Sequence, residues 1–247
     1  MGIPAFSVLR NVAAMVRRSA MEAGTNQLTR ILAVTPVSGY SGFNTSVHRV
    51  ESFKGLGFDV GIVDSTLNRL ESLRGFEFRV RNRLFFHGAP IRLNDLQDVN
   101  HEIIERFKID SNWHILWLEK SVTVSKETLQ YLRKKYPDLL VIGFSPDDMG
   151  QRHNQSQQFI EALPYYDHYI TTKSYNVSEL LSLGCPSVVF TDNGYDPEMF
   201  RPTEPRAEDR RLYGGEIGFI GSYEDARAHS ILSIAEAGMN VRVWGGG

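Results

Sequence analysis

What most constrains this chain is an alternation. Between Arg30 and Phe190, short apolar runs of strand length alternate with longer stretches whose apolar residues recur at helical spacing. The first run, residues 31–34, leads through Thr35-Pro36-Val37-Ser38-Gly39-Tyr40-Ser41-Gly42 into Val47, Val50, Phe53 and Leu56, which fall at steps of three. Gly57 is placed to end that helix, and residues 58–63 form the next apolar run. Strand, loop, helix and strand thus follow within about 35 residues, the size of one βαβ unit. Further apolar runs fall at 113–118, 139–144, 168–171 and 187–190. The helical patterns between them cover 67–86, a stretch from Asn94 as N-cap to Phe107, one from Ser125 as cap through Leu129, Leu132 and Tyr136 to Pro137, then 157–163, and 175–183 closed by Gly184. Such an order predicts an α/β chain with a Rossmann-like parallel sheet and helices on both faces. Right-handed crossovers then gather every post-strand loop on one edge, the edge where such sheets bind ligands.

Residues 201–215 break the rhythm. They are polar, charged and punctuated by Pro202, Pro205, Gly214 and Gly215, and read as a linker. The alternation then restarts with a strand at 216–220, a turn at Gly221-Ser222-Tyr223, a helix at 225–237 and a strand at 240–244. One βαβ unit of about 30 residues does not cover both faces of a sheet, so 216–247 reads as the truncated start of a second Rossmann-like domain. The expected organisation is a leader or helix at 1–29, a domain at 30–200, the linker at 201–215 and the partial domain at 216–247. Within the leader, Val8, Leu9, Val12, Met15, Val16 and Ala20 lie at helical spacing with Arg10, Arg17 and Arg18 between them. A basic amphipathic helix at 7–23 packs on its own domain or makes weak contact with an anionic membrane surface.

Composition narrows the function classes. A net charge of −2 gives no general electrostatic reason to expect nucleic acid. No apolar run reaches the roughly 18 residues of a membrane-spanning helix. Cys185 is the single cysteine, so no intrachain disulfide forms and nothing suggests a secreted scaffold, and the expected location is the cytoplasm.

Chemistry-bearing residues collect after the strands. Gly39 and Gly42, with Ser38 and Tyr40, let backbone approach a ligand at the first strand-to-helix turn, or simply make that turn tight. The spacing is neither G-x-G-x-x-G nor a phosphate-binding loop ending in Gly-Lys-Ser/Thr, and Asp64 is a weak match for the acidic partner of a dinucleotide site, so NAD is disfavoured. Asp147 and Asp148 follow the fourth strand. Paired carboxylates there bind a cation, accept from sugar hydroxyls or act as a base; because neighbouring residues point apart, either one caps the turn while the other faces the cleft, or both simply form the turn. His153 and Asn154 lie just beyond, in a polar loop. Lys120 ends the third strand and Lys173 follows the fifth, where ammonium groups either reach an anion or remain solvated surface charge. No zinc spacing, nucleophile elbow or H-E-x-x-H pattern occurs.

Four segments in order resemble the CgeB/YkvP-like glycosyltransferase-like proteins. They are residues 144–154 with Asp147-Asp148 and His153-Asn154; Thr171-Thr172-Lys173-Ser174 with Glu179-Leu180 and Leu183-Gly184; Gly194-Tyr195-Asp196-Pro197 before Arg201-Pro202; and Gly-Phe-Ile-Gly-Ser-Tyr-Glu-Asp-Ala-Arg at 218–227 with Ile234 to Gly238 and Val241 to Gly245. The resemblance implies a GT-B glycosyltransferase, with two Rossmann-like domains facing a cleft, a nucleotide-sugar as donor substrate and no metal or other cofactor. It implies an acceptor side lined by Ser38, Gly39, Tyr40, Gly42, Lys120, His153, Lys173, Tyr195 and Asp196, with Asp147 or Asp148 as base. The donor side would begin at Gly221, Ser222 and Arg227. The later acidic residues with which such enzymes grip ribose and sugar are not in this chain, so the expectation is poor donor binding and slow or absent turnover. Two other readings stay open: a non-catalytic GT-B-like module that recognises a glycan or a partner protein, and an epimerase acting on nucleotide-sugars.

Overall fold

A computed structural model describes residues 29–38, 44–66, 76–194 and 200–245. The helix expected at 7–23, the loop residues Gly39, Tyr40 and Gly42, the first part of the 67–86 pattern, and Tyr195 with Asp196 lie outside the described residues. The chain divides into two compact units, Met1–Tyr195 and Asp196–Gly247.

The first unit is an α/β sandwich around six parallel strands. Its elements are β1 (Arg30–Thr35), α1 (Thr45–Gly55), β2 (Asp59–Asp64), α2 (Phe76–Phe86), α3 (Val99–Ile109), β3 (Ile115–Glu119), α4 (Lys126–Lys135), β4 (Leu140–Ser145), α5 (Gln157–Ala162), β5 (His168–Thr171), α6 (Asn176–Ser182) and β6 (Val188–Phe190). The strand order is β2-β1-β3-β4-β5-β6, with Ile31 opposite both Val60 and Ile115, and Ile142 opposite His168. The chain moves one way from β1 to β2 and the other way from β2 onwards. A Rossmann-like sheet of this order has its topological switch between the C-terminal ends of β1 and β3.

The two faces of the sheet are distinct cores. Leu32, Val34, Leu116, Leu118 and Val141 pack under Val99, Ile103 and Phe107 of α3, Leu129 and Leu132 of α4, Phe159 of α5 and Leu180 of α6. Ile31, Ala33, Ile115, Trp117, Ile142, Phe144 and Ile170 form the other face, with Phe53 of α1. Gly143 is required by close approach: a Cβ there would lie 2.4 Å from the Tyr169 ring and 2.8 Å from that of Tyr166. Cys185 lies in the same core, 3% exposed, and its burial pushes the thiol up.

Helix termini follow local chemistry. Ser125 accepts from the Thr128 amide at 3.2 Å and caps α4, as its position predicts. Gly57 and Gly184 take the left-handed φ of 85° and 98° that ends helices. The helix expected to start at Asn94 instead begins at Val99. Asp95 does the capping, its carboxylate accepting from the amides of Val99 and Asn100 at 2.9 and 2.8 Å, while Asp98 makes the αL bend that swings the chain back to it.

The second unit holds α7 (Ala207–Tyr213), β7 (Ile217–Ile220), α8 (Asp225–Glu236) and β8 (Val241–Trp244), with β7 and β8 parallel. A helix therefore lies inside the stretch read as linker. Its Asp209 carboxylate accepts from the Arg206 amide at 3.0 Å, so it is held by capping rather than by an apolar stripe. No described residue of this unit is buried.

Candidate functional site

The C-terminal edge between β1 and β3 is built on a buried carboxylate. Glu119, the last residue of β3, is 5% exposed. It accepts from Thr35 Oγ1 at 2.8 Å, from Ser46 Oγ at 2.7 Å and from Arg49 Nε at 3.1 Å, and Arg49 Nη2 completes the pairing. The Arg49 guanidinium also lies 4.5 Å from the centroid of Phe144, which stacks on Trp117. With its donors in place, Glu119 locks α1 to the ends of β1 and β3.

The loop after β1 is pinned from both sides. Asp64 Oδ1, at the end of β2, accepts from the amides of Val37 and Thr66 and from Thr66 Oγ1. Burial opposes its charge, but these bonds and one from Ser38 outweigh it and hold the carboxyl below the usual carboxylate range. That carboxylate is thus occupied with its own loop. Ser38 is exposed, and its amide donates to Thr66 Oγ1 at 3.0 Å. Asn44 closes the far end, capping α1 through Ser46 N at 2.9 Å and donating to Pro36 O at 2.7 Å.

Asp147 and Asp148 do separate work. Asp148 Oδ1 accepts from Gly150 N at 3.0 Å and Asn176 Nδ2 at 2.7 Å. Burial raises its carboxyl, but hydrogen bonds from Asn176, Gln151, Gly150 and Tyr175 bring it below the usual range. Asn176 in turn holds Met149 N at 2.8 Å and Glu179 at 2.7 Å, so Asp148 fastens the β4 loop to α6. Asp147 stays at the surface, its side chain 45% exposed and ion-paired to Lys120 Nζ. Lys120 reaches it from the end of β3 with a left-handed φ of 42°, a conformation that non-glycine residues adopt at some cost.

On the opposite face of the sheet from Glu119, the same edge opens a cavity of about 220 Å³ beside Lys120. It runs between Val34 at the end of β1, the loop 120–123 and α2. Neither the Glu119–Arg49 pair nor this cavity follows from local motifs. Arg49 and Glu119 stand 70 residues apart, and the cavity residues are scattered from Val34 to Thr123.

The other candidates are placed less centrally. His153 is exposed in a 3-10 turn at Arg152–Asn154, which packs against α2. Lys173 is half-buried in the turn after β5, its amide on Thr171 Oγ1 at 3.1 Å, and Thr172 Oγ1 ties that turn to Pro146 O at 3.0 Å. In the second unit, Arg227 of α8 reaches back to the turn after β7, its Nη1 donating to Ser222 O at 3.3 Å, while Gly221 N donates to Trp244 O at the end of β8 at 3.0 Å. Glu224 pairs with Arg227 at 3.0 Å, and Asp225 stands in the first turn of α8, so two carboxylates already complement that helix end. Among the described residues no group of three His, Cys, Asp or Glu side chains could hold a metal ion, and no helix is long and apolar enough to cross a membrane.

No protein-family model matches the chain, and no curated protein does. Among solved structures it is similar to the crystal structure of Arabidopsis thaliana UGT89C1 complexed with UDP-L-rhamnose, with 11% identity and a TM-score of 0.40. The match covers 89% of this chain and 65% of that one, so the chain spans less than two thirds of its neighbour's length.

Proposed function

We propose that this chain carries the acceptor side of a nucleotide-sugar-dependent glycosyltransferase, with Asp147 as the base. The observation that carries the reading is the division of labour in the loop after β4. Asp148 is tied into the loop, while the exposed Asp147 is held at the ligand-binding edge by Lys120 from the neighbouring strand. In the proposed reaction an acceptor hydroxyl attacks the anomeric carbon of the donor, its proton passes to Asp147, and the bond to the nucleoside diphosphate breaks. Single displacement of this kind inverts the anomeric centre. Lys120 orients the carboxylate, and the Glu119–Arg49 lock keeps the edge rigid beneath it. The arrangement of Gly221, Ser222 and Arg227 would begin the donor side, and the resemblance supplies the donor class.

A second reading, a binding module without turnover, is favoured by one feature. Glu224 and Asp225 at the start of α8 repel a diphosphate. Assays with a panel of UDP-, GDP- and ADP-sugars separate the two. The enzyme reading expects transfer that falls about 100-fold or more in Asp147→Asn and much less in Asp148→Asn. No transfer from any donor by the wild type, with acceptor binding retained, selects the module.

A further inference from the structure

We infer that the outward face of α2 docks on an anionic lipid surface, with the helix lying in the headgroup layer. The inference does not depend on the transferase reading.

It starts from how the helix distributes its side chains. Phe78, Asn82 and Phe85 face the domain, where they line the cavity beside Lys120, and Phe85 is buried. At about 3.6 residues per turn, Arg79, Val80, Arg83 and Leu84 fall on the side turned away, with His87 just past the helix end, and all five are exposed. Val80 and Leu84, one turn apart, form an aliphatic row that is 38% and 45% exposed. Arg79 and Arg83, also one turn apart, form a cationic row beside it. Phe86, at the end of the helix, is 68% exposed.

The charge of this face is uncompensated. Glu77 is the acid of the helix, and it is already paired with Arg81 at 2.9 Å. Neither Arg79 nor Arg83 makes an ion pair with a described residue. Arg152, exposed and likewise without an ion pair among the described residues, adds a further cation. A Cβ at Gly88 would lie 2.8 Å from its Cβ, so Arg152 abuts the end of α2. The patch is thus locally positive in a chain whose net charge is −2.

The mixture of side chains selects the partner. A nucleic acid backbone would pair with the arginines but gain nothing from the aliphatic row. Anionic headgroups above acyl chains satisfy both: the apolar side chains sink while the guanidinium groups reach lipid phosphates on their flexible stems. An 11-residue helix is too short to span a bilayer, so it lies along the surface.

The test is co-sedimentation of the full chain with vesicles of phosphatidylcholine alone, and of phosphatidylcholine and phosphatidylglycerol in equal parts. Binding to the mixed vesicles only is expected, weakening as salt is raised. Arg79→Gln combined with Arg83→Gln should weaken it about fivefold for each charge removed. Leu84→Ser should weaken it about fivefold while leaving the salt dependence in place. These are exposed side chains, so the urea midpoints should stay near that of the wild type. The inference is overturned if the wild type ignores the mixed vesicles, or if either α2 variant binds them as the wild type does. Loss of binding on replacing Arg10, Arg17 and Arg18 by Gln, with both α2 variants unaffected, would assign the contact to residues 7–23 instead. Tighter binding to a DNA duplex than to the mixed vesicles, at equal phosphate concentration, would also overturn it.

Discussion

Asp148 and Asp64 both sit below the ordinary carboxylate range because hydrogen bonds outweigh their burial. Each contributes stability that is complete above the ordinary carboxylate value and is lost as pH falls through the lowered, folded-state value. Asp148→Asn should therefore cost about 1–2 kcal/mol near neutral pH and progressively less towards about pH 3, as urea midpoints across that range would show. Asp147, paired with Lys120 at the surface, behaves differently. Such exposed pairs contribute about 0–1 kcal/mol, so Asp147→Asn should leave the urea midpoint nearly unchanged. Glu119 is the most demanding carboxylate of the edge. Glu119→Ala strands Arg49 against Phe144 and should cost about 3 kcal/mol, read from the same denaturation curves.

At the level of elements, β1, β3 and β4 were legible because each is a short apolar run buried on both faces, the pattern that a parallel sheet imposes on its central strands. Ser125 was legible as a cap because its bond is local. The start of α3 was not, since Asp95 acts from four residues away across an αL bend. α7 was hidden because Ala-Glu-Asp-Arg-Arg-Leu-Tyr has no apolar period and no buried face. In the candidate site, the sequence placed Asp147 and Asp148 together after β4, but not which of them the loop would take up. That depends on Asn176, 28 residues beyond Asp148. The cavity was invisible because it exists only where α2 and the loop 120–123 meet above β1. One packing consequence is testable within β4. Gly143→Ala drives a methyl into the rings of Tyr169 and Tyr166 and should cost about 1–3 kcal/mol, measured as a lowered urea midpoint.

The two units differ in how much of themselves they bury. The first has a continuous core on each face of its sheet, whereas no described residue of the second is buried, and Ile220 and Val243 of its strands are 82% and 56% exposed. Local opening follows burial, so amides of β7 and β8 should exchange hydrogen far faster than those of β1, β3 and β4, as peptide-resolved exchange would show. The cysteine described in the first core gives that hierarchy a chemical clock. Cys185 is the sole thiol of the chain, it is packed against the core, and its burial keeps the reactive thiolate scarce. A maleimide can thus reach it only when the β5–β6 side of the sheet opens. The labelling rate of the purified, unmodified protein becomes a direct count of those openings, with no engineered probe and no second thiol in the chain to confuse the signal.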